Sequence, residues 1–351
     1  MVLTRPLALT MGDPAGIGPE IIARAFCDSP AELAGCVVVG DVVTLRRAAQ
    51  LVGTGRAGSS GAMPVAQLDA AADWQAVPPR CMPVLQKCEL AALVPYGRVS
   101  ALAGKAAADC IVWAARAALS GEVAALVTAP IHKEALAAAG PEFAHYPGHT
   151  EMLQAEAAAF LGKPVSELPV RMMLANDELK TVLVSIHLSL RDAIDAVTFD
   201  SVLQTLQIAH QSVRGAAGGP PRIAVAGLNP HAGEGGRFGR EELDIIAPAI
   251  AKARAQGLNV SGPFAPDTVF MRARARTGQA GEFDVVVAMY HDQGLIPVKY
   301  LGLEQGVNVT LGLPLVRTSP DHGTAFDIAG SGTADASSLI AAIRMARQLL
   351  A

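Results

Sequence analysis

Short apolar segments rich in β-branched residues alternate along the chain with longer, alanine-rich segments. The apolar segments have the length of buried strands, and they are residues 7–11, 36–39, 124–127, 182–186, 223–228 and 284–289. The alanine-rich segments predict helices, since residues 106–119 place Ile111, Ala115 and Leu119 on one side. Buried strands that alternate with helices predict an α/β protein whose sheet is largely parallel.

Length and composition support a folded protein of more than one domain. The chain has 351 residues, of which 51% are hydrophobic and 17% charged, so it has enough apolar material for two linked α/β domains and does not resemble a disordered chain. The formal net charge of −4 argues against nonspecific binding to nucleic acid or to an anionic membrane. A small anionic ligand needs only two or three local cations and stays compatible with this charge.

The sequence favours a cytoplasmic location. The five cysteines are odd in number and contain no C-x-x-C, which is typical of reduced thiols. The first residues lack a long apolar run and reach Asp13 too early for a signal peptide. No segment approaches the roughly 18 apolar residues of a membrane span.

Three of the eight histidines follow predicted strands at their carboxyl ends. These are His187, His231 and His291. In parallel α/β sheets this edge binds ligands, and neutral imidazole is a good ligand for Zn²⁺ and related divalent ions. The three together therefore suggest a metal site, although each histidine alone is better explained as an unrelated loop or capping residue.

Two glycine-rich segments are candidate turns or anion sites. Residues 12–20 join the first strand to a helix but do not match G-x-G-x-x-G, so they indicate a tight turn rather than a Rossmann fingerprint. Residues 233–239 follow His231 and precede a helix, where free N–H groups favour an anion. Alternatively, Glu241 and Glu242 satisfy that helix dipole.

Polar residues also interrupt the apolar sequence after His291. Lys299, Asn308 and Arg317 lie there, and an arginine at the end of an apolar run can bind a carboxylate or phosphate bidentately. A surface cation is the alternative for Arg317. Upstream, the turn before His149 and Thr150 indicates a helix start with exposed polar side chains.

Blocks spread over residues 10–330 resemble one known enzyme family. They are TMGDPAGIGPEI, TAPIHKEAL, YPGHTEML, SIHLSLRD, GLNPHAGEGG, GPFAPDTVF, YHDQGLIPVKYLG, GVNVTLGLP and RTSPDHGTAFDIAG. The family is that of the 4-hydroxythreonine-4-phosphate dehydrogenases of vitamin B6 biosynthesis, with relatives that act on 4-phospho-threonate and 4-phospho-erythronate.

The resemblance implies a fold and an assembly. The fold would be similar to that of isocitrate and isopropylmalate dehydrogenases, with two α/β domains and an active-site cleft. The approximate domains would be residues 1–130 with 263–351, and residues 131–262, which would carry dimer contacts. The family is homodimeric, with a site shared between subunits.

The resemblance also implies roles for single residues. One divalent metal (Zn, Mg or Co) would fall on His187, His231 and His291. Contacts to a small phosphorylated hydroxy acid would fall on His149, Thr150, Lys299, Asn308 and Arg317.

A nucleotide-binding loop is implied by similarity to isopropylmalate dehydrogenases. Residues 322–330, HGTAFDIAG, match their adenosine loop except that Phe326 replaces a proline. His322 and Asp327 would contact the cofactor, together with Gly233, Gly235 and Gly236. A carboxylate at Asp327 would accept hydrogen bonds from a ribose diol and repel a 2′-phosphate, which favours NAD over NADP.

The implied reaction is NAD-linked oxidation of the 3-hydroxyl of 4-phosphohydroxy-L-threonine, followed by loss of CO₂ to give 3-amino-2-oxopropyl phosphate. Lys133, Asp267 and metal-bound water are the candidate bases, and the sequence does not choose among them. It also leaves open the same chemistry on 4-phospho-D-threonate or 4-phospho-D-erythronate, since no residue reports the substituent at C2.

Two alternatives belong to other classes of protein. A three-histidine metallohydrolase would not need the loop at residues 322–330. A two-metal version would also require bridging carboxylates, and only Asp292 is adjacent to a candidate ligand. A noncatalytic metal-dependent binding protein leaves both the cofactor loop and the anion-binding residues unexplained.

Overall fold

A computed structural model describes residues 4–54, 62–215, 218–302 and 305–350. The chain divides into two compact units, and the predicted α/β class is confirmed in both. The first unit comprises Met1–Leu168 and Leu313–Leu350, and the second comprises Pro169–Gly312. No helix in the described ranges combines the length and the apolarity needed to span a membrane.

The first unit contains six strands and seven α-helices among its described residues. The strands are β1 (Leu7–Thr10), β2 (Cys36–Gly40), β3 (Val65–Leu68), β4 (Met82–Gln86), β5 (Ala125–Thr128) and β12 (Arg317–Pro320). The helices are α1 (Gly18–Asp28), α2 (Val42–Thr54), α3 (Ala101–Leu119), α4 (Lys133–Ala138), α5 (Pro141–Ala144), α6 (His149–Leu161) and α12 (Ser337–Leu350). Short 3₁₀ turns cover Ala71–Ala76 and Val165–Glu167.

The strands of the first unit run parallel in the order β3-β4-β2-β1-β5-β12. Every residue of β1, β2 and β5 is buried, which explains their unbroken apolar sequences. From β1 the chain builds β2 to β4 on one side and returns to β5 on the other. The carboxyl ends of β1 and β5 therefore form a switch point, the usual ligand position in such sheets.

Close backbone contacts shape the loops at this switch point. Gly12 has a φ of +72°, and a Cβ atom there would overlap the carbonyl oxygen of Pro130 after β5. The amide of Asp13 donates to the same oxygen at 2.9 Å. The tight turn predicted for residues 12–20 is thus required by the meeting of two strand ends.

The second unit contains six strands and five α-helices in the part that the structure describes. The strands are β6 (Arg171–Ala175), β7 (Lys180–Leu183), β8 (Ile223–Ala226), β9 (Val260–Phe264), β10 (Val285–Ala288) and β11 (Val307–Leu311). The helices are α7 (Leu190–Asp195), α8 (Phe199–Ser212), α9 (Ala247–Ala255), α10 (Val269–Ala273) and α11 (His291–Tyr300), and a π-helical turn covers Glu242–Ile246.

The sheet of the second unit is mixed, with the order β11-β6-β7-β10-β8-β9. Strands β7, β10, β8 and β9 are parallel, whereas β6 pairs antiparallel with β7 and β11. The antiparallel pair arises because β6 and β7 form a hairpin, in which Oδ1 of Asn176 accepts from the amides of Glu178 and Leu179.

The boundaries of the compact units differ from those of the predicted domains. The predicted domains were residues 1–130 with 263–351, and residues 131–262. Residues 131–168 lie in the first unit because α4 packs closely on α3, where a Cβ atom at Gly104 would overlap the backbone of Ala135. Residues 263–312 lie in the second unit because β10 and β11 pair within its sheet. Helix packing explains the first assignment, and strand pairing between distant segments explains the second.

Candidate active site

The three predicted metal-binding histidines follow three neighbouring parallel strands of the second unit. His187 follows β7, His291 follows β10 and His231 follows β8, and these strands are adjacent in the order β7-β10-β8. The carboxyl ends of parallel strands lie at one edge of a sheet, so the fold brings the three segments to the same edge.

His187 and His291 form a close pair. Their ring centres are 5.7 Å apart. The strand ends that carry them are tied together, since the amide of Val184 donates to the Ala288 carbonyl and the hydroxyl of Ser185 donates to the Met289 carbonyl, both at 2.9 Å. Two imidazole nitrogens at about 2.0–2.1 Å from one Zn²⁺ would leave ring centres about 5–6 Å apart, so the spacing fits a shared ion.

The carboxylate of Asp292 orients the ring of His291. Nδ1 of His291 lies 2.8 Å from Oδ1 of Asp292. When Nδ1 donates this hydrogen bond, Nε2 is the nitrogen that has a lone pair for a metal, as in the carboxylate–histidine arrangements of metal sites.

His231 lies on an unusual left-handed turn, Pro230–Gly236. Six successive residues, His231–Gly236, have positive φ, between 41° at Glu234 and 94° at Gly236, and the non-glycine residues among them are conformationally disfavoured. The ring of His231 lies 6.1 Å from that of Phe238. The glycine-rich segment after His231, a candidate turn or anion site from the sequence, therefore begins as a left-handed turn.

Glu242, at the start of the π-helical turn, holds this segment. Its buried Oε1 accepts from the amides of Leu228 and Asn229, both at 2.7 Å, and Oε2 accepts from the side chain of Asn229 at 3.0 Å. Glu241 accepts from the same asparagine side chain at 2.6 Å. Both carboxylates thus bind the turn that follows β8, in addition to any effect on the helix dipole.

Gln293 joins the ends of β8 and β10. Its Nε2 donates to the Gly227 carbonyl and its Oε1 accepts from the Met289 amide, both at 2.7 Å. Beside it lies an open pocket of about 800 Å³, whose lining includes His231 and Asp267. The pocket therefore brings together one predicted ligand and one of the predicted bases.

The donor chemistry fits a divalent metal, but the complete set is not assembled. Among the described residues, no group of three or more His, Cys, Asp or Glu side chains is close enough to hold an ion. The structure pairs His187 with His291 and places His231 on the adjacent turn. The three-histidine centre stays a prediction.

In the first unit, the buried Arg317 lies near the half-buried His149. The guanidinium of Arg317 donates to Oγ1 of Thr128 from Nε at 3.2 Å and from Nη2 at 2.7 Å. Burial lowers the pKa of Arg317 to about 10, partly opposed by Glu151. Arg317 is thus a buried residue, and the alternative of a surface cation is excluded.

His149 begins α6, and its Nε2 is buried without a hydrogen-bond partner in the described part of the chain. Burial, and then the positive charge of Arg317, hold the pKa of His149 well below 6.5. The adjacent Thr150 is half-buried. A neutral imidazole beside a guanidinium is suited to an anionic ligand that also carries a hydrogen-bonding group.

The other two predicted substrate residues, Lys299 and Asn308, are half-buried and belong to the second unit. Lys299 lies in the last turn of α11, and Asn308 lies on β11 opposite Leu174.

The predicted nucleotide loop packs on the β1–α1 turn. The amide of Ile17 donates to the Thr324 carbonyl at 3.0 Å, and a Cβ atom at Gly16 would lie 2.9 Å from the same residue. The buried carboxylate of Glu20 accepts from the amides of Gly330 at 3.3 Å and Ala334 at 2.9 Å. The loop is thereby fixed at the switch point, while His322 and Asp327 stay exposed.

Two polar side chains beside this loop were not identified from the sequence. Oδ1 of Asp13 accepts from the amide of Ala15 at 2.8 Å, whereas the buried Oδ2 has no partner among the described residues. His132 stacks on Phe326 at 4.7 Å, next to the exposed Lys133. In the sequence, Asp13 and His132 could have been found from their positions shortly after β1 and β5.

A family model described as pyridoxal phosphate biosynthetic protein PdxA matches residues 32–346. The chain belongs to the PdxA family. This confirms the resemblance inferred from the motifs, and it confirms that the chain is an enzyme of the oxidoreductase class.

Similar PdxA-family proteins span the whole chain. A 4-hydroxythreonine-4-phosphate dehydrogenase from Beijerinckia indica is 53% identical over 349 residues, which cover 99% of this chain and 96% of the relative. A D-threonate 4-phosphate dehydrogenase from Salmonella typhimurium is 43% identical, with 99% of both chains covered. The crystal structure of 4-hydroxythreonine-4-phosphate dehydrogenase from Klebsiella pneumoniae is 41% identical with a TM-score of 0.82, covering 99% and 100% of the two chains.

A further solved structure resembles this PdxA-family member. The terephthalate 1,2-cis-dihydrodiol dehydrogenase from Burkholderia xenovorans is 30% identical, with a TM-score of 0.65 and 98% of both chains covered. Dehydrogenases named for different substrates thus share this fold, so the fold alone does not determine the substrate.

Proposed function

We propose that the chain catalyses the NAD-dependent, divalent-metal-dependent oxidation of the 3-hydroxyl of 4-phosphohydroxy-L-threonine. The 3-keto acid formed would lose CO₂ to give 3-amino-2-oxopropyl phosphate. The observation that carries this proposal is the pairing of His187 and His291, 5.7 Å apart, at adjacent strand ends. The B. indica relative named 4-hydroxythreonine-4-phosphate dehydrogenase supports the choice of substrate.

In this proposal the strand-end imidazoles of His187, His231 and His291 hold one divalent ion, Zn, Mg or Co. When bound, such an ion supplies Lewis acidity that lowers the pKa of the substrate hydroxyl. Asp267 takes the hydroxyl proton, because it lines the same pocket as His231. Lys133, which begins α4, and metal-bound water are the alternative bases.

Binding of the anionic substrate is assigned to His149, Thr150, Lys299, Asn308 and Arg317. Arg317 contributes the positive charge, since its pKa of about 10 keeps it protonated at neutral pH. His149 contributes an uncharged hydrogen-bonding group, because its pKa lies well below 6.5. Together they would orient the hydroxyl-bearing carbon toward the cofactor.

NAD accepts the hydride in this proposal. Its adenosine end is assigned to residues 322–330, with His322 and Asp327, and the turn with Gly233, Gly235 and Gly236 would contact its polar groups. The contacts of Glu20 and Ile17 support a rigid loop in the first unit. A homodimer with a shared site and a cytoplasmic location complete the proposal, as the resemblance implies.

The second candidate is the same chemistry on 4-phospho-D-threonate. It is favoured by the S. typhimurium relative, which is named for that substrate and is 43% identical over 99% of this chain. A metallohydrolase has less support, because the dehydrogenases reported above match the chain over nearly its full length.

The test is NAD reduction by metal-loaded protein offered 4-phosphohydroxy-L-threonine, phospho-D-threonate and phospho-D-erythronate side by side. We expect the highest kcat/KM for the first. A preference for phospho-D-threonate would establish the second candidate, and hydrolysis of any of the three without NAD reduction would contradict the proposed function.

A further inference from the structure

We propose that Thr128 is a positioning residue that fixes the guanidinium plane of Arg317 for an anionic group of the substrate. The proposal rests on the proposed function, in which Arg317 binds a phosphate or carboxylate. Thr128 itself contacts no substrate in this proposal; it acts through the arginine.

One hydroxyl oxygen holds one edge of the guanidinium. Oγ1 of Thr128 accepts from Nε at 3.2 Å and from Nη2 at 2.7 Å. Two contacts to one acceptor restrict rotation about the last torsion of the arginine side chain. Since guanidinium binds phosphate and carboxylate in its own plane, fixing the plane also fixes the direction from which an anion is bound.

Both partners are removed from water. Thr128 is fully buried at the end of β5, and Arg317 is only 4% exposed at the start of β12. The two strands are parallel neighbours, with Arg317 opposite Leu126 in the register. Without the hydroxyl, these two buried N–H groups lose an acceptor that solvent cannot replace, so Thr128 contributes to the orientation of the guanidinium.

The neighbouring strand provides a matched control. Thr10 is the register partner of Thr128 across β1 and β5, and it is also fully buried. Its hydroxyl has no hydrogen-bond partner among the residues that the structure describes. A change of Thr10 to valine therefore perturbs the same sheet without removing a contact to Arg317.

The experiment compares Thr128→Val, Thr128→Ser and Thr10→Val with the unchanged protein in steady-state kinetics. The substrate is whichever phosphorylated hydroxy acid is turned over, and its dephosphorylated analogue is measured beside it. We expect Thr128→Val to lower kcat/KM by about tenfold or more, mainly through KM, because charge-assisted hydrogen bonds orient the cation. Thr128→Ser and Thr10→Val should stay within about twofold.

The analogue separates the two possible anions. A smaller loss on the dephosphorylated compound assigns the oriented guanidinium to the phosphate, and an equal loss assigns it to the carboxylate. In either case Thr128→Ser should retain the activity that Thr128→Val loses, because serine keeps the hydroxyl that accepts from Arg317.

A double-mutant cycle with Arg317→Lys keeps the proposal testable if Thr128→Val lowers stability. The Thr128→Val effect on KM should disappear in the Arg317→Lys background, because the oriented fork is already lost. Equal kinetics of Thr128→Val and Thr10→Val in a folded, active enzyme would overturn the inference. Inactivity of the unchanged protein on all substrates would instead refute the proposed function.

Discussion

At the scale of single residues, burial sets the charge of the polar side chains near the switch point of the first unit. Burial raises the pKa of Asp13, lowers that of His149 well below 6.5 and lowers that of Arg317 to about 10. Near pH 7 the positive charge of this region therefore comes from Arg317 rather than from His149. Anion binding should accordingly vary little between pH 6.5 and 8.

We predict that Asp13→Asn stabilises the protein increasingly as the pH rises. Burial raises the pKa of Asp13 in the folded state above its ordinary value of 3.8. The contribution of this carboxyl group to folding stability is therefore fully present below about pH 3.8 and is lost as the pH rises through the folded-state pKa. Asparagine keeps an oxygen for the amide of Ala15 and carries no charge. The free energy of unfolding should be measured with denaturant from pH 4 to 8.

Asp41 is the contrasting residue for this measurement. It is equally buried, but both of its oxygens accept hydrogen bonds, from the amide of Thr44 at 2.7 Å and from Gln86 at 3.1 Å. Asp41→Asn should destabilise the protein, because its NH₂ group replaces one of the two acceptor oxygens. That group would either face the Nε2 donor of Gln86 or fail to accept the hydrogen bond from the amide of Thr44. A pH-independent effect of Asp13→Asn would show that burial does not control its charge.

Some site residues could be predicted from the sequence because they end or follow predicted strands, whereas others could not. His187, His231, His291 and Arg317 end or follow apolar runs, which is why they were identified. Thr128 could not be found in the same way, because its partner Arg317 lies 189 residues away and only strand pairing brings them together. The same holds for Glu242 and Gln293, whose partners are backbone atoms of other loops.

At the scale of elements, the left-handed turn Pro230–Gly236 depends on the side chain of one acid. We predict that Glu242→Ala destabilises the protein by about 2–3 kcal/mol, because the amides of Leu228 and Asn229 lose a buried acceptor. Denaturant unfolding gives the energy, and faster hydrogen exchange at these two amides would locate the effect.

Glu241→Ala is the control for Glu242→Ala. Its carboxylate accepts from the side chain of Asn229 and from the backbone of Arg240 and Glu241, whereas Glu242 accepts from the amides of Leu228 and Asn229, so the loss should be smaller, about 1 kcal/mol. Similar losses for the two variants would mean that the turn is held by its own backbone rather than by Glu242.

The nucleotide loop gives a second prediction at this scale. Asp327 is exposed, so its repulsion of a 2′-phosphate is screened by water and is weaker than that of a buried carboxylate. Asp327→Asn should narrow the preference for NAD over NADP by about threefold to tenfold, measured as the ratio of kcat/KM values. Asp335→Asn, an exposed aspartate beyond the loop, should leave this ratio unchanged.

The elements predicted from the sequence are those buried on both faces. Strands β1, β2, β5, β7, β8 and β10 lie within the predicted apolar segments or overlap them. Strand β3 gave no readable pattern, since most of its residues are only half-buried, and β4 contains Pro83. The left-handed conformation of the turn after Pro230 was also not predicted, since it includes the non-glycine residues His231, Ala232 and Glu234 at positive φ.

At the scale of the whole molecule, the predicted site residues fall into two groups. The second unit contains the three histidines, Asp267, Lys299 and Asn308, and the first contains Arg317, His149, Thr150 and the nucleotide loop. A change in metal binding at the histidines should therefore be separable from a change in anion binding at Arg317 by variants in different units. This makes metal-linked stability a measurement independent of catalysis.

We predict that Zn²⁺ raises the melting temperature of the unchanged chain by several degrees and that EDTA reverses the increase. A ligand that binds only the folded state at a hundredfold excess over its Kd stabilises it by about 2.7 kcal/mol. His187→Ala or His291→Ala removes half of the observed imidazole pair and should abolish the shift. His145→Ala, an exposed histidine of the first unit, should retain it. If all three variants respond to Zn²⁺ like the unchanged chain, the ion binds elsewhere and the strand-end histidines are not its ligands.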